Sequence, residues 1–81
     1  MTRQVTVLYF AAMAEAAGRD REQVSSAAPT LAEFYRERAA ELGLLWPIEQ
    51  LRVAVDGAFA RWHDGFQPGA EIAFIPPVSG G

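Results

Sequence analysis

The chain has no cysteine, no lysine and a single histidine among its 81 residues. Without thiols it can form no disulfide, thiolate metal site, iron–sulfur cluster or cysteine nucleophile. His63 by itself is too little imidazole for the usual zinc site. All seven basic residues are arginine, so no side-chain amine is present to form a Schiff base or to accept an isopeptide bond. Positive charge is scarce overall. The net charge of −3 and pI near 4.9 argue against nucleic acid and against an anionic membrane surface, since either would require a basic face. No apolar run approaches the roughly 20 residues of a membrane span. No glycine-rich loop of the phosphate-cradling kind occurs, so any ATP and magnesium must be held by a partner.

What is present suits one small folded domain. At 8.8 kDa there is material for a single core. With 51% hydrophobic and 21% charged residues, the chain is too apolar and too weakly charged for disorder. Arg3, the apolar Val5 to Ala14 stretch and Ala14-Glu15-Ala16 imitate a secretory leader. Cleavage there would remove the best strand candidate, and the protein is expected to be cytoplasmic.

Gln4 to Phe10 is β-branched and aromatic, with Val5, Val7 and Tyr9 alternating against Thr6, Leu8 and Phe10, which predicts a strand. Ala11 to Ala17, closed by Gly18, suits one or two helical turns. Arg21 to Ser26 reads as a second, more polar strand hairpinned with the first. Thr30 and Glu33 form a capping box, from which Leu31, Phe34, Tyr35, Ala39 and Leu42 recur at helical spacing until Gly43. Leu44 to Gln50 reads as an irregular return in which Trp46 plugs the edge of the core. Leu51 to Val55, Asp56-Gly57 and Ala58 to Trp62 make a hairpin; Pro68-Gly69 then turns the chain into Glu71 to Ile75. One long apolar stripe is available to cover the sheet, which implies a mixed sheet of about five strands under one main helix, an α+β fold.

The chain ends Pro76-Pro77-Val78-Ser79-Gly80-Gly81. Diproline stops the last strand and launches a stiff, extended segment, dividing the chain into a domain at 1–75 and a tail at 76–81. Gly80 and Gly81 remove every β-carbon beside the terminal carboxylate, so the backbone can lie in a channel too narrow for side chains. The terminal carboxylate of Gly81 then becomes the reactive group: it can attack the α-phosphate of ATP, and the resulting acyl adenylate can be opened by a sulfur donor. An inert polar tail on a plain interaction module is the competing reading.

The start (VTVLYFAAMAEAAG), the Asp56-Gly57 hairpin and above all the ending from Gly69 to Gly81 (GAEIAFIPPVSGG) resemble the molybdopterin synthase small subunit family, MoaD. The likeness spans nearly the whole chain. It implies a β-grasp, ubiquitin-like fold and a non-catalytic carrier. Gly81 would be adenylated by an E1-like adenylyltransferase (MoeB type) and converted to a thiocarboxylate. That group would give sulfur to cyclic pyranopterin monophosphate on the synthase large subunit (MoaE type), in an assembly of two small and two large chains. The resemblance further implies an apolar patch on the outer sheet face, to which Phe10 and Phe74 are candidates, with plain core burial as their alternative. A bare Gly-Gly ending is shared with the thiamine sulfur carrier and with ubiquitin, so thiazole synthesis and conjugation to lysines are the alternative functions. Ala14 stands where family members often carry an arginine.

The remaining polar residues read as structure. His63-Asp64 is an exposed turn pair, with no serine or cysteine beside it in sequence to act on. Phe10, Phe59 and Phe74 fall at strand spacing as core candidates, and Arg36 and Arg38 as a solvated helix face.

Overall fold

The computed structural model describes residues 2–77. Strand β1 (Arg3–Tyr9) buries Val5, Val7 and Tyr9 on one face, as its alternation predicts. It begins one residue earlier than the pattern suggests, because Arg3 pairs with Ser26, and ends one earlier, because Phe10 caps helix α1 (Ala11–Ala17). That helix is closed by Gly18 at φ 75°, in the left-handed region where glycine carries no β-carbon penalty. Strand β2 (Arg21–Ser26) returns antiparallel to β1.

Helix α2 (Leu31–Leu42) starts where the capping box places it, the Thr30 hydroxyl accepting from the Glu33 N–H at 3.2 Å. Its next unpaired donors are met from far along the chain. Leu31 N–H donates to the Asp64 carbonyl and Ala32 N–H to the Trp62 carbonyl, each at 2.9 Å. That duty explains why strand β4 stops at Ala60 rather than running on to Trp62: the backbone of 61–64 leaves the sheet to cap α2. After Gly43, a short 3₁₀ turn (Ile48–Gln50) leads into β3 (Arg52–Val55), β4 (Ala58–Ala60) and β5 (Glu71–Ile75). Both residues of the β3–β4 turn are left-handed, Asp56 at φ 51° and Gly57 at φ 86°, the geometry that matches strand twist in a two-residue hairpin.

The five strands lie in the order β2-β1-β5-β3-β4. β1 and β5 are parallel and the other pairs antiparallel, which makes the sheet mixed. This is the β-grasp arrangement. The core lies between the sheet and α2, where Leu31, Phe34 and Tyr35 meet Val5, Val7, Val53, Ile72 and Phe74. Phe74 sits at its centre, with ring centroids of Tyr35, Phe34 and Trp62 at 5.0, 5.9 and 6.2 Å. Trp46 packs half-buried against the core's edge, and its carbonyl accepts from the Tyr35 hydroxyl at 2.7 Å.

One helix residue departs from the solvated reading. Arg36 is exposed, but Arg38 is buried, with 9% of its surface accessible. Strand pairing turns Glu22 to the same face as Val7, and Arg38 reaches it from α2 at 2.9 Å. The Tyr9 hydroxyl donates to the same carboxylate at 2.5 Å, and Arg19 donates to its second oxygen at 2.8 Å. Burial is the main reason the Tyr9 phenol is pushed up to about 12. Burial also works to raise Glu22, but the hydrogen bonds from Tyr9, Arg38 and Arg19 and the Arg38 charge outweigh it, and its carboxyl lies below the ordinary range.

Candidate functional site

Because β1 and β5 run parallel, they deliver Phe10 and the start of the tail to the same end of the sheet. β3 runs the other way, so its first residue, Arg52, arrives there too, opposite Ile75. Register then defines the face turned away from α2. One row crosses four strands as Leu8, Ala73, Ala54 and Phe59, and the next, nearer the tail, holds Ile75 and Arg52. Phe59 is 70% exposed and Phe10 46%. Phe59 lies on edge strand β4 and Phe10 just past the end of β1, with β5 and β3 between them. The Arg21–Glu71 pair, 3.6 Å apart, borders the row on one side. On the other, the Arg52 guanidinium lies 5.7 Å from the Phe59 ring centre.

The expected site residues divide between the two faces. Phe10 is at the exposed surface, so it is not a core residue. Phe74 is fully buried beneath α2 and presents nothing to the outer face; alternation along β5 gives that place to Ile75 instead. Phe59, expected in the core, is corrected to the outer surface. It pairs with Ala54 across the hairpin, and no helix of the described residues covers that side. The signal for both was in the sequence: Ile75 shares parity with Ala73, and a two-residue turn at Asp56-Gly57 forces Phe59 opposite Ala54.

β5 ends at Ile75; Pro76 is half-buried and Pro77 exposed. They line a groove of about 530 Å³ together with Gln50, Arg52, Phe59 and Trp62. Val78, Ser79, Gly80 and Gly81 lie outside the described residues. His63 and Asp64 stay in an exposed turn 3.8 Å apart, where Asp64 accepts the Arg61 N–H at 3.0 Å. Among the described residues no three His, Cys, Asp or Glu side chains converge as a metal site would need. No helix of the described residues is long and apolar enough to cross a membrane.

The sequence profile of the ThiS family matches residues 7–81. The chain belongs to the ThiS family. Two relatives of this ThiS family member are molybdopterin synthase sulfur carrier subunits. The protein from Escherichia coli (strain K12) is 32% identical over 81 residues, covering 95% of this chain and 99% of its own length. That from Haemophilus influenzae is 36% identical with the same coverage. Among solved structures, the small archaeal modifier protein 1 of Methanosarcina acetivorans superposes with a TM-score of 0.80 at 20% identity, covering 100% of this chain and 99% of that one. That likeness establishes the ubiquitin-like β-grasp fold.

Proposed function

We propose that this ThiS family protein is the sulfur-carrier subunit of a molybdopterin synthase and acts in the cytoplasm. The observation that carries the reading is the near full-length similarity to two such subunits, on a chain whose last strand runs into Pro76-Pro77 beside an exposed aromatic face. The reactive group is the Gly81 carboxylate. An E1-like adenylyltransferase holding ATP and magnesium couples it to AMP with release of pyrophosphate. A sulfur donor then displaces AMP at the carbonyl, leaving a thiocarboxylate. The carrier contributes no catalytic side chain: its share is to present the tail.

The work of each part follows from its chemistry. Pro76 and Pro77, with φ fixed by their rings, stiffen the root of the tail, and Val78 and Ser79 add to its length. Gly80 and Gly81 let it enter the large subunit's active site, where sulfur passes to cyclic pyranopterin monophosphate. Phe10, Phe59 and Ile75 form the apolar surface on which first the activating enzyme and then the large subunit dock, so the two partners compete for one face. Intact mass of the protein from cells with an active sulfur relay tests the reading. A species with one oxygen exchanged for sulfur at the C-terminus supports it, and its persistent absence defeats it. Gly-Gly remnants on the lysines of many proteins would instead mark a modifier.

A further inference from the structure

We propose that Ala11 is a positioning residue of the docking face: its left-handed backbone fixes the direction in which Phe10 is presented to a partner protein. This inference rests on the docking role given to Phe10 above and deepens it. Among the described residues, two that carry side chains take positive φ, Asp56 at 51° and Ala11 at 50°. Asp56 is accounted for by its two-residue hairpin. Ala11 belongs to no such turn, and alanine is disfavoured in this region because its β-carbon crowds the following carbonyl oxygen. The chain meets the same need with glycine at Gly18, Gly43 and Gly69. Backbone outliers of this kind persist only where the surrounding structure holds them, and they gather at binding sites.

The neighbours of Ala11 show what the left-handed step does. Phe10 is still extended, at φ −123° and ψ 148°, yet its carbonyl already accepts from the Met13 N–H at 3.0 Å as the cap of α1. Ala11 alone therefore turns the chain from strand to helix. Across that turn the chain passes from the outer face to the core: strand parity gives Phe10 to the side of Leu8, and Met13 is fully buried. On the other side of Phe10, Tyr9 is held by its N–H on the Asp20 carbonyl at 3.0 Å and by its hydroxyl on Glu22. Phe10 itself is 46% exposed, beside an open hollow of about 490 Å³ that it lines with Leu8, Arg21, Ala11 and Ala14. Packing holds only part of it, and the backbone on either side does the aiming. Glycine at 11 would take the turn without strain, but it also populates the right-handed and mirror-extended regions, whereas the left-handed basin of alanine is small. Alanine thus lowers stability and narrows the directions open to Phe10, so less freedom is lost when a partner covers that ring.

A positioning role and a merely structural one differ in sign, because the first predicts that stability and affinity move apart. The full chain is made by chemical synthesis unsubstituted, as Ala11→Gly and as Ala11→D-Ala, the last favouring positive φ while keeping a β-carbon. Ala11→D-Ala should raise Tm by about 4–8 °C through relief of strain, and Ala11→Gly should not lower it. In the free proteins, backbone amide order parameters at residues 10–12 should fall in Ala11→Gly and hold in Ala11→D-Ala. Affinity for the synthase large subunit, measured by calorimetry, should weaken about three- to tenfold in Ala11→Gly and be rescued by Ala11→D-Ala. On a Phe10→Ala background the Ala11→Gly effect should shrink to within about twofold, since no ring is left to aim. The proposal is overturned if Ala11→D-Ala is no more stable than the unsubstituted chain, or if the order parameters or the affinity of Ala11→Gly are unchanged. A loss that persists in full without the Phe10 ring overturns it equally. A large subunit that does not bind the unsubstituted chain counts against the carrier reading instead, and the order parameters of the free proteins then decide the positioning role by themselves.

Discussion

Phe74 and Phe59 are the same side chain placed two strands apart in one sheet, yet one is fully buried and the other is 70% exposed. The face that holds Phe74 is roofed by α2 and closed by Phe34, Tyr35 and Trp62. Among the described residues, the face that holds Phe59 has no second layer. Residue chemistry alone does not separate a buried phenylalanine from an exposed one here. Parity along the strand and the position of the single long helix separate them. A small domain with one main helix covers one face of its sheet, and among the described residues the other face, next to the start of the tail, is left uncovered.

Substitution can break this contrast in graded steps. Phe74→Ala should have the largest effect, about 3–5 kcal/mol of lost stability in chemical denaturation, because it empties the centre of the core. Arg38→Met comes next, at about 2 kcal/mol, since it takes from the largely enclosed Glu22 carboxylate its buried cation and leaves it only the Tyr9 and Arg19 donors. Gly69→Ala should cost about 1 kcal/mol: Gly69 lies at φ 83° with open space where a β-carbon would go, so the penalty is backbone strain and not a clash. Phe59→Ala should shift stability least, within about 0.5 kcal/mol. It should nevertheless cost about 1–2 kcal/mol of affinity for the synthase large subunit in calorimetry. If Phe59→Ala unfolded the domain, or Phe74→Ala left it intact, the division between the two faces would fail.

Acid sharpens the comparison on the buried side. The Glu22 carboxyl in the folded chain lies below its unfolded value of 4.5, so the stability it provides is complete above that pH and is lost as pH falls through the folded value. Glu22→Gln should flatten the acid limb of a stability–pH profile. Phe59→Ala, which touches neither Glu22 nor its partners, should leave the limb unchanged.

Much of this was readable from the residues in order. Strand and helix positions followed from alternation, the Thr30 cap, Gly18, Gly43 and the Asp56-Gly57 turn, each a local rule that tertiary context did not override. The boundary at Ala60 was not readable, because what ends β4 is α2's need for backbone acceptors, met by residues some thirty positions later in the chain. Arg38 was likewise misread as solvated. Its partners Glu22 and Tyr9 come from two other strands, and charge alternation on one helix carries no record of them.

The sequence by itself determined most of the elements, the absence of thiols and side-chain amines, and the diproline and the two glycines of the ending, because these depend on residues close together in the chain or on composition. Only the tertiary structure decided which aromatic side chains were left uncovered, that Arg52 stands beside the root of the tail, and that Glu22, Tyr9 and Arg38 share one buried seam. Those facts depend on strand order and register, which bring distant segments together, and no local pattern encodes which distant segment will arrive.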